Sequence, residues 1–129
     1  MFKNDGIPII ACATGGTGNT AIAIIRISGL KDIGSLLKCT SISSSKITPR
    51  HCYFTKILDG DKILDECVLI YFAGPNSFTG ENTIELQVHG NQLNILRIIS
   101  FFVNKFNFRE ALPGEFSYRA LLNNKLSTS

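Results

Sequence analysis

The chain has 129 residues, 44% of them hydrophobic, and 13 Lys plus Arg against 10 Asp plus Glu leave a formal net charge of +3. That length fits one domain over residues 1–129, and its apolar content with so little charge excludes a disordered chain. Glycine and proline without a fixed period exclude a collagenous one, the scattered lysines exclude a basic run for gripping RNA, and no apolar stretch nears the roughly 18 residues of a membrane span.

The N-terminus resembles a short export signal: Lys3, an apolar run, then Ala11-Cys12-Ala13. Asp5 stands in the would-be positive region, and the stretch is shorter than the usual signal of about 15–30 residues. It therefore reads as a strand over residues 8–13, and the protein as cytoplasmic. Residues 14–20 (TGGTGNT) predict a loop. Residues 21–27 (AIAIIRI) predict a second strand, apolar on both faces and hence central in its sheet. A short helix follows over 31–38, then a Ser-rich stretch, 40–45, that predicts a mobile loop.

Residues 51–58 and 63–73 predict two strands joined at Asp59-Gly60-Asp61, a hairpin signal because Gly and Asp tolerate positive φ. A turn falls at 74–77. Residues 83–89 (TIELQVH) alternate, placing Ile84, Leu86 and Val88 on one face and Thr83, Glu85, Gln87 and His89 on the other. Asn91 predicts a helix N-cap, and Leu93, Leu96, Ile99, Phe102, Val103 and Phe106 follow at helical spacing. Pro113-Gly114 breaks the chain before a last helix over 115–123. Strands and helices without strict alternation predict an α+β class, a mixed sheet packed with about three helices.

Cys12, Cys39, Cys52 and Cys67 lack short paired spacing, so they read as buried reduced thiols. A zinc site from Cys39, His51 and Cys52 would lack the usual C-x-x-C knuckle. Gly16 to Ala21 matches G-x-G-x-x-A after a strand, the pattern of a dinucleotide loop. Here the next segment is strand-like rather than helical, and no acid follows about 20 residues on. A tight hairpin or a lip over a pocket fits the loop better. The chain has no G-x-x-x-x-G-K-[ST], and hence no P-loop for nucleotide hydrolysis.

Arg26 is the most informative residue. It follows Ile22 and Ile24 on one face of an apolar strand, where a guanidinium must be paired. Glu85, mid-strand between apolar neighbours, is its natural partner. Two readings stay open: a structural ion pair, or a site for a polar heteroaromatic ligand. In the second, the carboxylate accepts two N–H bonds from an aminopyrimidine and Arg pairs with a carbonyl or anion. His89 reads as a satisfied hydrogen bonder, with a base as its alternative role. Glu81 reads as a turn cap, and Arg119 and Lys125 as solvated.

Three motifs recur in order: ACATGGTGNTAIAIIRISG at 11–29, PNSFTGENTIELQVHG at 75–90 and PGEFSYRALLNNK at 113–125. Together they resemble the N-terminal domain of the MnmE (TrmE) family of tRNA-modification GTPases, over residues 9–126. The resemblance implies a fold like the tetrahydrofolate-binding domain of glycine-cleavage aminomethyltransferases. It implies a reduced-folate cofactor, 5-formyl- or 5,10-methylene-tetrahydrofolate, held by Arg26, Glu85 and Lys125. It also implies a homodimer and a flavin-containing partner, MnmG (GidA), with which the family modifies carbon 5 of the tRNA wobble uridine. GTP, Mg and K belong to a GTPase domain expected outside this chain, which should not hydrolyse GTP alone. A purely structural dimerisation domain and a free-standing folate-dependent transferase, with His89 as base, are the alternatives. Gly15, Asn91 and Leu112 stand where the family usually has Pro, Gly and Arg.

Overall fold

A computed structural model of the chain describes residue 2 and residues 4–14, 20–43 and 46–125. Among the described residues, β1 (Ile9–Cys12), β2 (Ile22–Ser28), β3 (Cys52–Asp59), β4 (Lys62–Phe72), β5 (Thr83–His89) and β6 (Arg109–Glu110) form one sheet. Its order is β3-β4-β5-β2-β1-β6, antiparallel except for the parallel β1–β6 pair. With α1 (Ile33–Leu37), α2 (Gln92–Phe106) and α3 (Glu115–Leu122) this is an α+β fold.

Each predicted element forms, within one or two residues at its ends. The β3–β4 hairpin turns at Gly60, whose φ of +60° needs a residue without Cβ strain. α2 starts at Asn91, whose side chain accepts from the Leu93 and Asn94 amides at 2.8 and 3.3 Å. A cap of that kind stabilises a helix by about 1 kcal/mol relative to alanine. The two-residue β6 was not anticipated; it is too short to carry a periodic signal.

α2 covers one face of the sheet. Its Ile95, Ile98, Ile99 and Phe102 are buried against Ala23, Ile25 and Ile27 of β2 and Ile84, Leu86 and Val88 of β5. Ile27 pairs with Ile84 and Ile25 with Leu86, so the inward residues meet in rows across the strands. The opposite face carries Ala11, Arg26, Glu85, Ile70 and Cys52 in one row, and Ile24, Gln87, Val68 and Phe54 in the next. This second face is only partly covered: Ile22 is 58% and Phe54 90% exposed. β2 is central, as expected, but on the face away from α2 only Ser28 at its end is fully buried, while Ile24 and Arg26 are partly covered and Ile22 is exposed.

The Ser-rich stretch is not loose at its start. Thr40 bridges to Ile57, and Ser41 Oγ accepts from the Lys56 amide at 2.9 Å, so the segment shields the outer edge of β3. Residues 44–45, its end, lie outside the described residues. So does most of the glycine loop, 15–19, although the strands it joins are antiparallel neighbours as a hairpin requires. The cysteine reading needs correction: Cys39 and Cys67 are buried, Cys12 is half-buried and Cys52 is exposed, because β3 is an edge strand and Cys52 sits on its open side. No three metal-binding side chains gather among the described residues. Nor is any helix there long and apolar enough to cross a membrane.

Candidate functional site

β2 and β5 place Arg26 and Glu85 directly opposite each other, on the face that α2 leaves open. Arg26 Nε donates to Glu85 Oε2 at 2.9 Å, and the two side chains are 22% and 18% exposed. Among the described residues, neither the two terminal nitrogens of Arg26 nor Oε1 of Glu85 has another hydrogen-bond partner. The pair is therefore half-satisfied and half-available.

Two aromatic rings flank the guanidinium. Its central carbon lies 5.2 Å from the centroid of Phe78 and 5.3 Å from that of Phe116. Such contacts hold a cation by about 0.5–1 kcal/mol each. Phe78 comes from the loop before β5, and Phe116 from the first turn of α3. Together with Ala11, Arg26, Leu112 and Gly114 these rings line a cleft of about 360 Å³. Gly114 has φ +81° and caps α3, turning the chain so that Phe116 faces Arg26. Leu112 gives the cleft an apolar lip.

Lys125, the third residue expected here, is not among the residues that line the cleft. It follows α3 and is exposed, with its stem beside Gly80: a Cβ added at Gly80 would lie 3.2 Å from Lys125 Cγ. It thus stands over the same loop that carries Phe78, two residues from that ring.

Arg119 is not solvated; it is 5% exposed. Its guanidinium donates to the Ile7 carbonyl at 2.6 Å and to Glu81 at 3.3 Å, and lies 3.5 Å from Asp5. Glu81 is accordingly an ion-pair partner rather than a turn cap, and its Oε1 also accepts from Ser28 Oγ at 2.9 Å. Beneath it Ser28, Thr79 and Thr83 form a buried hydroxyl cluster. Glu115 at the start of α3 has a fully buried carboxylate, gripped by both terminal nitrogens of Arg109 at 2.8 and 2.6 Å and by the Leu112 amide at 2.9 Å. The Arg109 guanidinium holds that carboxyl below the usual range against the opposing effect of burial. None of this network was read from the sequence. Its partners lie up to 112 residues apart, and a helical Arg carries no local sign of burial.

His89 stands apart. It is exposed at the end of β5 and does not line the Arg26 cleft. Its Nδ1 lies 2.6 Å from Asp65 Oδ1, and Asp65 also accepts from the His89 amide and from Asn94. Burial raises the Asp65 carboxyl, but these hydrogen bonds outweigh it and hold the group below its ordinary value. A base inside the cleft, which a free-standing transferase needs, is therefore not supplied by His89. Burial pushes the Cys67 thiol up to about 12, so it is no nucleophile either.

Comparison with known proteins adds the family. The model for the GTP-binding protein TrmE N-terminus matches residues 8–125. The tRNA modification GTPase MnmE of Campylobacter curvus is 46% identical over 125 residues, covering 96% of this chain and 27% of that protein. The Aquifex aeolicus protein of the same name is 45% identical over 121 residues, covering 92% and 26%. That of Xylella fastidiosa strain Temecula1 is 41% identical, covering 95% and 26%. The chain thus spans about a quarter of the length of these relatives.

Proposed function

The chain belongs to the family of TrmE N-terminal domains, and from that membership we propose that it is the reduced-folate-binding and dimerisation module of a tRNA-modification GTPase. One observation carries the ligand half: Arg26, whose terminal nitrogens have no partner among the described residues, stands between two phenylalanine rings at a cleft of about 360 Å³, and Glu85, which is not among the lining residues, is tied to it by one hydrogen bond. A cleft for a small molecule usually holds about 300–1,000 Å³, so this one suits a pterin with its tail running outward. The free carboxylate oxygen accepts N–H bonds from the aminopyrimidine edge, while the guanidinium nitrogens reach a ring carbonyl. Phe78 and Phe116 supply flat apolar walls. Lys125, over the Phe78 loop, is proposed to meet the anionic tail. The folate carries the one-carbon unit; these residues bind and orient it.

The dimer half uses the open sheet face. Phe54, Val68 and Ile24 lie on it in a row adjoining that of Arg26 and Glu85, so a second copy seated there lies next to the cleft. In the whole protein this module is proposed to act on tRNA wobble uridine with MnmG (GidA), in the cytoplasm, while GTP, Mg and K are handled by residues beyond these. A second reading, a dimerisation domain without ligand, draws on the 2.9 Å Arg26–Glu85 contact, which already satisfies one atom of each partner.

Two results are expected. Isothermal titration with 5-formyl-tetrahydrofolate shows saturable binding of one molecule per chain; a flat titration of folded, dimeric protein rejects the ligand reading. In sedimentation velocity, Phe54→Lys shifts the dimer to monomer at micromolar concentration. A variant that sediments like the parent dimer rejects this face as the contact.

A further inference from the structure

The Arg26 cleft has two walls that the backbone does not join. Phe78 rides on the loop between β4 and β5, and Phe116 on α3, so the gap between them depends on what fastens loop to helix. The only charged tie between them among the described residues runs through Arg119. On one side it meets Glu81, three residues after Phe78; on the other it rises from α3 one turn beyond Glu115 and Phe116. The same guanidinium takes the Ile7 carbonyl and faces Asp5, so the N-terminal arm closes over it. Glu81 is fixed in turn by Ser28 Oγ, at the end of the strand that carries Arg26. Room for this arrangement comes from Gly29, with φ +95°: a Cβ there would stand 2.7 Å from Arg119 Nη1. Asn123 adds an uncharged tie, donating to the Thr79 carbonyl at 2.9 Å.

We propose that Arg119 is a positioning residue for the cleft, setting the separation of Phe78 and Phe116 around the Arg26 guanidinium through Glu81 and α3. It touches no ligand itself. It acts by holding two ring walls at a spacing that keeps Arg26 in place and admits a flat heterocycle beside it. The ligand half of this statement rests on the reduced-folate reading; the geometric half does not.

The test compares Arg119→Met with Phe102→Leu, which loosens the core beneath α2 on the opposite face of the sheet. Two readouts are taken well below either melting temperature: the NMR resonance of the Arg26 Nε–H, which sits between the two rings and on Glu85, and the affinity for 5-formyl-tetrahydrofolate. Arg119→Met is expected to move that resonance toward the value of an exposed arginine and to weaken binding about tenfold. Phe102→Leu is expected to leave both in place, and Arg119→Lys to recover part of the affinity by restoring the charge opposite Glu81. If Arg119→Met does not fold, Glu81→Gln carries the test, with the same direction and a loss of about threefold. An unmoved Arg26 resonance overturns the proposal, as does an equal movement in Phe102→Leu. If the parent protein binds no folate while Arg119→Met still moves the resonance, the ligand reading fails and the positioning role stands.

Discussion

Arg26→Ala is expected to abolish measurable binding of 5-formyl-tetrahydrofolate while leaving a cooperatively folded domain. The guanidinium offers a ligand two nitrogens that have no partner among the described residues, and a hydrogen bond to a charged group contributes about 1.5–3 kcal/mol. Losing two of them weakens binding by at least about 100-fold. The fold loses far less. Both side chains of the pair are about one-fifth exposed, so the orphaned Glu85 is hydrated, and a cost of about 1 kcal/mol is expected. Glu85→Gln keeps the shape but presents an amide where a carboxylate accepted, and a loss of about tenfold follows. Titration calorimetry and thermal melts on the same samples separate the two readings of the pair. If each substitution lowers the melting temperature by several degrees and the parent binds no folate, the pair is structural.

Glu115→Ala produces the opposite pattern: a large loss of stability. The Glu115 carboxylate is fully buried and accepts three hydrogen bonds, two of them from Arg109. Removing it leaves Arg109 without its bidentate partner and frees the start of α3. Arg109 stays partly exposed and keeps Asp5, so the loss is that of the hydrogen bonds to a charged group, about 1.5–3 kcal/mol, a sizeable part of the roughly 5–15 kcal/mol that holds a domain of this size. Chemical denaturation should show it as a lowered midpoint with little change in slope. Acid should expose the same interaction. The folded-state pKa of Glu115 lies below its ordinary value near 4.5, chiefly because Arg109 donates to it. A depressed carboxyl contributes its stabilisation above the unfolded pKa and loses it as pH falls toward the folded one. The parent should therefore keep its melting temperature down to about pH 5 and lose it steadily below. Asp5 and Asp65, held low by their own hydrogen bonds, steepen that limb. Glu115→Ala should melt lower throughout and fall less steeply in acid.

Within the sheet, β5 was legible because it obeys a period of two against one buried face, and β1 and β2 because they are short apolar runs. TIELQVH alternates without exception, and the structure buries Ile84, Leu86 and Val88 as that alternation requires. α2 was legible for the same reason at period 3.6, with a polar cap at Asn91 to mark its start. Arg26 and Glu85 stood out because each interrupts an apolar strand, a signal that is local. The buried Arg119 gave none. A basic residue on a helix is outward-facing by default, and its partners at positions 5, 7 and 81 are remote in the chain. Lys125 was placed by family likeness alone, and it stands beside the Phe78 loop rather than within the cleft lining. Asp65 was missed as the partner of His89 because that pair forms only when β4 and β5 lie side by side.

The neighbourhood of β2 and β5 has a consequence for how the chain is made. Glu85 follows Arg26 by 59 residues, so the central strand leaves the ribosome long before the strand it must zip to. At about 5–20 residues per second, that interval lasts roughly 3–12 s. Through it the nascent polypeptide can pair β2 only with β1, and the greasy flank that β5 will later cover stays bare. Slow codons between positions 29 and 83 would lengthen this exposure, and faster translation of that stretch would shorten the window in which growing chains can stick to one another.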